Sequence, residues 1–205
     1  MKLIDQSHEI IYMPDNMLEL IEKVARTCYK SEDNITEGSS ERFVQLLIKR
    51  SHNAMIEFGD IIVRFTTNRS VTHELVRHRL CSFAQESTRY VKYDGDMEFI
   101  KPVWFNYMIA SEDRKAKMSF ERILFRCEII YKELLDLGWR PEQTREVLPN
   151  ALKSEIVIKA NIREWRHIFK LRCSKKAHPQ IRALMIDLLE DLKTKIPVVF
   201  DDIEY

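Results

Sequence analysis

Between Pro179 and Pro197 the chain carries Ile181, Leu184, Met185, Leu188, Leu189 and Leu192 at helical spacing. Residues three and four apart share one face of an α-helix, so this spacing commits the segment to an amphipathic helix with one face in a core. A proline starts a helix well, because its missing amide is not needed there, and a proline beyond the end stops one. The same period recurs in Met17, Leu18, Ile21, Val24, Ala25 and Cys28, and again in Phe120, Leu124, Cys127, Tyr131 and Leu134. Two segments alternate instead. Ile61, Val63 and Phe65 share a face of Ile61–Thr66, and Ile156, Ile158 and Ala160 share a face of Glu155–Asn161, which predicts strands. A weaker strand candidate runs from Met97 to Trp104 and contains Pro102. Ser31 to Ser40 reads as a loop, and Asp94-Gly95 marks a turn within Tyr93–Asp96. No internal repeat or low-complexity tract is visible. Long helices with a few strands outside strict βαβ order predict an α+β fold, helices packed on a small mixed or antiparallel sheet. At 205 residues, 45% of them hydrophobic, one domain over 1–205 is expected.

Composition removes several function classes. With 33 basic and 32 acidic residues the net charge is +1, whereas a nucleic-acid coat needs a basic excess over a whole face. Cys28, Cys81, Cys127 and Cys173 form no paired metal spacing, so neither zinc nor a disulfide framework is expected. No apolar run approaches the roughly 18 residues of a membrane span, and Met1–Asp5 opens no signal region. A soluble, intracellular, cytoplasmic protein is expected. Gly38, Gly59, Gly95 and Gly138 are the whole glycine complement, from which no Gly-rich phosphate loop can be built. Side chains must therefore hold any nucleotide phosphate.

The segment Arg77–Tyr90 is the best candidate for that task. Arg77, His78 and Arg79 open it, and Ser87, Thr88, Arg89 and Tyr90 close it. The planar guanidinium matches two phosphate oxygens at once, which suits the segment to a phosphorylated small molecule. The alternative is a solvated cationic helix end. His73 and His78 resemble a zinc motif with one residue too many; five positions apart on a helix they point about 140° from each other and cannot share a metal. Ser87 lacks the glycine elbow of an acyl-transfer nucleophile.

A second segment, Asn161–Arg172, places Arg163, Arg166, His167 and Lys170 on one helical face and Ile162, Trp165, Ile168 and Phe169 on the other. Arg172 falls on the apolar side. It either finds an anion or several acceptors there, or lies past the helix end and reaches water. Pro141 and Pro149 bracket a short helix containing Arg145, and His52 and Glu57 are polar candidates that ordinary surface would also explain.

Arg77-His78-Arg79, seven intervening residues and Ser87 resemble the R-H-R-x(7)-S signature of the flavin-dependent thymidylate synthases. His52–Glu57, Arg145–Pro149 and Asn161-x-Arg163 with His167 and Arg172 resemble further elements of that family, in order and at compatible spacing. The resemblance implies a homotetramer with interfacial active sites, FAD as cofactor, NADPH as reductant, methylenetetrahydrofolate as carbon donor and dUMP as acceptor. The product would be dTMP. No metal, no membrane and no nucleic-acid partner are expected, on the cysteine spacing, the hydropathy and the balanced charge already noted. Carried over by position, Arg77, His78, Arg79, Gln85, Asn161, Arg163 and His167 would meet FAD. Glu74, Arg77, Gln85, Glu86, Ser87, Thr88, Arg89 and Arg145 would line the dUMP site. Arg172 would face the uracil ring as the catalytic residue, and His52 and Tyr90 would sit near flavin and folate.

This chain departs from the family pattern at several of these positions. Ala54 occupies a FAD-contacting position where Ser or Thr is common. Glu74 and Gln85 exchange the usual Gln and Glu, Thr88 replaces a smaller residue, and Phe58 a histidine. Two competing readings are a helix-turn-helix over Thr66–Arg79 and a flavoprotein that binds nucleotide without methyl transfer.

Overall fold

Both alternating segments are strands and all three apolar stripes are helices in the computed structural model, which describes residues 1–205. The strands are β1 (Lys2–Ile4), β2 (Ser7–Tyr12), β3 (Asp60–Asn68), β4 (Ser82–Gln85), β5 (Glu98–Ile100) and β6 (Lys153–Asn161). The helices are α1 (Met17–Thr27), α2 (Ser39–Lys49), α3 (Arg69–Leu75), α4 (Ser111–Asp136), α5 (Pro141–Thr144), α6 (Ile162–Arg172), α7 (Pro179–Lys195) and α8 (Pro197–Phe200). Strand β1 pairs with β5 in parallel, and a second sheet has the order β2-β3-β6-β4. The α+β class holds. No helix is long and apolar enough to cross a membrane.

Contacts sort the chain into two compact units. One comprises Met1–Ser7, Phe65–Arg77 and Ala84–Ile156; the other comprises His8–Arg64, His78–Phe83 and Val157–Tyr205. The first is built on Met97, Phe99, Leu124, Tyr131 and Leu152, all buried. Helix α4 contributes its expected stripe but also buries Glu128, which accepts the Met97 amide at 3.3 Å and pairs with Lys132 at 2.7 Å. In the second unit the whole α7 stripe is buried, and Trp165 stacks on Phe169 with ring centroids 5.8 Å apart. Phe200 closes on the edge of Phe169 at 5.5 Å.

Two strand–helix junctions share one design. Strands β3 and β6 are each nine residues long, with every second side chain buried, and each ends in an asparagine. Asn68 Oδ1 accepts the Val71 amide and Asn161 Oδ1 the Glu164 amide, both at 2.9 Å, so each caps the helix that follows. The sequence shows no repeat because only the asparagine and the burial pattern are shared.

Several expectations change. The Met97–Trp104 candidate shrinks to β5, because Pro102 lacks a donor and Val103–Tyr107 turns into a 3-10 segment. The Ser31–Ser40 loop holds a short 3-10 turn, and α2 already begins at Ser39. Arg166, expected on a polar face, is buried. Its guanidinium donates to the Val199 carbonyl and grips both Asp202 oxygens at 2.6 Å, because the chain beyond α7 folds back over it.

Candidate functional site

In the second unit the candidate residues converge on α6. Asn161 fixes where the helix starts, the Ile162 amide is tied to the Gly59 carbonyl at 2.8 Å, and the Trp165 indole to the Ile61 carbonyl at 3.1 Å. With the register locked, Glu164 and His167 lie one turn apart on the same face. His78, just beyond α3, meets them there. Its Nδ1 lies 3.6 Å from Glu164 Oε1, and its ring meets the His167 ring edge-on at 6.1 Å.

At the far end of α6, Arg172 donates its Nε–H to Nε2 of His78 at 3.0 Å. Of the two readings open for Arg172, an acceptor inside the fold is the one realised. The imidazole is 6% exposed, and its pKa drops to about 4, chiefly from burial and then from the positive charges of Arg172 and His167. His78 is therefore neutral near pH 7. Because Nε2 accepts from Arg172, the ring proton sits on Nδ1, facing Glu164. Burial holds the Glu164 carboxyl above its usual range, with His167 and Arg163 only partly offsetting the rise. Burial, and after it the same carboxylate, pushes the Cys81 thiol up to about 12, leaving it inert at neutral pH.

His78, Glu164 and His167 bring ligand-type atoms within 4.8 Å of one another. The guanidinium at Nε2 leaves the nitrogen that faces Glu164 protonated, which is the wrong tautomer for a ligand at that point.

Arg163 is exposed and pairs with Glu57 at 2.5 Å. It borders two adjoining hollows. One, of about 1150 Å³, is lined by Arg42, Lys49, Arg163, His167 and Lys170 among others. The other, about 530 Å³, is lined by Tyr29, Phe43, His52, Ala54 and Met55 with Arg163. Cations outnumber the two aspartates, Asp201 and Asp202, along one hollow, and aromatic and apolar surface lines the other, which suits a ligand with phosphates and a planar ring. Ala54 adds no hydrogen-bonding group to that wall, and Arg79 is exposed.

The first unit holds the remaining candidates. Gln85 donates its amide to Thr72 Oγ1 at 2.9 Å and to Ser154 Oγ at 3.3 Å. Glu86 is tied down by Tyr93, whose hydroxyl donates at 2.6 Å, by the Glu155 amide at 3.2 Å and by Lys153 at 3.5 Å. These partners make Glu86 an anchor for the strand-end segment. Ser87 organises the turn after β4, its hydroxyl accepting the Arg89 amide at 3.3 Å and its carbonyl the Val91 amide at 2.9 Å. Thr88 is buried, whereas Arg77 and Tyr90 are exposed and Glu74 is half-buried. Arg89 lies 3.8 Å from Glu142 and Arg145 lies 3.6 Å from Glu146, both too long for firm surface pairs.

Sequence reasoning did not single out Glu164, Thr72, Ser154 or Tyr93. The usable signal for Glu164 was its place three residues after the capping Asn161 and three before His167.

The profile of the family described as thymidylate synthase complementing protein matches residues 9–198. Among curated proteins, the flavin-dependent thymidylate synthase of Corynebacterium efficiens is 34% identical over 90% of this chain and 79% of its own length. That of Geobacter sulfurreducens is 32% identical over 87% of this chain and 78% of its own. Among solved structures, the UMP/dUMP methylase PolB from Streptomyces cacaoi, bound with 5-Br dUMP, superposes with a TM-score of 0.80 at 24% identity, covering 98% of this chain and 96% of that one.

Proposed function

The chain belongs to the flavin-dependent thymidylate synthases, a family of methyltransferases, and on that premise we propose that it methylates dUMP reductively to dTMP. The carbon donor is methylenetetrahydrofolate, the cofactor FAD and the reductant NADPH. The single observation that carries the reading is the bond from Arg172 Nε to His78 Nε2. It fixes an arginine, at the apolar side of α6, by one edge of its guanidinium. A cation held in advance stabilises negative charge that develops on a uracil ring better than one that must be ordered during the reaction.

His78 is neutral near pH 7 and so can accept from Arg172. Arg163, Asn161, His167, Arg77 and Arg79 hold FAD, with the cationic hollow receiving its phosphates. Gln85, Ser87, Thr88, Arg89, Arg145 and Glu74 hold dUMP, and His52 and Tyr90 border the flavin and folate. Flavin held there would supply, once reduced by NADPH, the hydride for the ring; no thiol nucleophile would be required, in keeping with the raised Cys81 and Cys173. Residues 1–205 act as one functional domain, in the cytoplasm, as part of a homotetramer that covers exposed apolar side chains such as Ile123, Phe125 and Ile130 of α4.

The helix-turn-helix alternative fits less well, because α3 ends at Leu75 before any of the basic cluster. The experiment is an assay for dTMP from dUMP, methylenetetrahydrofolate and NADPH with and without FAD. Product that appears only with FAD supports the proposal. A yellow protein that oxidises NADPH and makes no dTMP would replace it with a flavoprotein lacking methyl transfer.

A further inference from the structure

We infer that Glu164 is a positioning residue that sets the orientation of Arg172 through the imidazole of His78. Glu164 is 6% exposed, and a carboxylate so buried demands compensation. It sits in the first turn of α6, where its amide is capped by Asn161 and the helix dipole favours negative charge. Its Oε1 faces Nδ1 of His78 at 3.6 Å. That nitrogen must carry the proton, because Arg172 occupies the other one as a donor at 3.0 Å. The order is carboxylate, then imidazole N–H, then imidazole lone pair, then guanidinium N–H. At 3.6 Å the first step is a charge facing a dipole, and such bonds tighten when a site fills.

A lone imidazole can rotate, or shift its proton to Nε2 and turn away from Arg172. With an acceptor at Nδ1, both changes forfeit two favourable contacts instead of one. Trp165 and Asn161 hold the helix that carries Glu164, so the reference point is rigid. The groups that face His78 are Arg172, His167 and Glu164, and only the last is a carboxylate.

This inference rests on the reading of Arg172 only for its effect on turnover; the tautomer of His78 is measured without it. The experiment uses full-length protein with ¹⁵N-labelled histidine, the His78 signals being those lost in His78→Asn. In the parent protein the ring should report a proton on Nδ1 near pH 7. Glu164→Gln retains an acceptor and should keep that signature and most of the turnover. Glu164→Leu should give a mixed or reversed tautomer, and kcat for dTMP should fall on the order of 10- to 100-fold with KM for dUMP changing far less. Glu164→Ala serves the same purpose if the leucine variant does not fold. An unchanged tautomer in the leucine or alanine variant overturns the inference, as does a changed tautomer with undiminished kcat. A parent protein that makes no dTMP removes the proposed function and leaves the tautomer result to decide the role of Glu164.

Discussion

Arg172 and His78 lie 94 positions apart and are joined by a 3.0 Å bond from guanidinium Nε to imidazole Nε2. The geometry leaves the histidine uncharged and the arginine oriented. Removing either partner should therefore affect the other.

Arg172→Ala should abolish dTMP formation while leaving the protein folded, since the side chain sits at the last position of α6 and is only partly buried. Arg172→Lys keeps a charge but loses the donor that meets His78, so it too should lose at least about 100-fold in kcat. Turnover measured with flavin content and thermal midpoint checks this. Retained turnover in the alanine variant would take Arg172 out of the chemistry.

His78 also predicts an acid limit to stability. Its pKa falls from 6.5 to about 4 on folding, chiefly because burial disfavours the cation. The unfolded chain then binds more protons than the folded one between those values, so this group's share of stability is complete above pH 6.5 and is lost as pH falls through 4. The drop amounts to on the order of 3 kcal/mol. Urea midpoints from pH 7 to pH 4 should slope downward in the parent protein and less steeply in His78→Asn. Equal slopes would mean that His78 is not what the protein loses in acid.

Much of this was legible beforehand. The α7 stripe and the alternation in β3 and β6 are local patterns, set by periods of 3.6 and 2, and the motif residues were legible through their resemblance to the family signature. What was not legible depends on partners far along the chain. Arg166 reads as a solvated cation until Asp202 folds over it, and Glu86 reads as one of a row of polar residues until Tyr93 and Lys153 close on it. Helix α2 was missed because it buries only Ser40, Val44 and Leu47, too thin a stripe to stand out after a polar stretch. Glu164 was missed because a glutamate on a helix is normally surface, and only the fold brings His78 to it.

Gly59 packs where a side chain would force its neighbours to shift. A Cβ there would lie 2.8 Å from Met17 Cγ and Sδ and 3.0 Å from Ile162 Cγ1. The same residue's carbonyl receives the Ile162 amide at 2.8 Å, so the strand cannot simply move away from α6. Gly59→Ala should cost about 1–3 kcal/mol, as overpacking of a tight core does. A denaturant midpoint equal to that of the parent protein would show that Met17 gives way freely.

Glu86→Ala should act on stability before affinity. It strands the Tyr93 hydroxyl, whose pKa burial and Glu86 push far above the usual phenol range, and leaves the Glu155 amide without its acceptor. Loss of one partner from such a buried network costs about 1–3 kcal/mol, or several degrees in Tm for a chain of this size. Tyr93→Phe should cost less, since it leaves Glu86 its other partners. If Glu86→Ala instead weakens dUMP binding with Tm unchanged, the carboxylate belongs to the substrate and not to the scaffold.

Gln85 and Glu74 stand where the family resemblance leads one to expect the acid and the amide the other way round, and the surroundings of Gln85 suit an amide. Thr72 donates its hydroxyl to the Arg69 carbonyl at 3.0 Å, so its oxygen can only accept from Gln85, as it does at 2.9 Å. Ser154 Oγ shares the same amide at 3.3 Å. A carboxylate at position 85 would face the Thr72 oxygen with no proton between them. Gln85→Glu alone should therefore lower both stability and dUMP affinity, and Glu74→Gln alone should lower affinity by removing a charge from the same unit. If the two positions act as a pair, the double exchange should recover at least half of the combined loss. Losses that simply add would show that Glu74 and Gln85 work independently, and that the exchange in this chain answers to Thr72 and Ser154 alone.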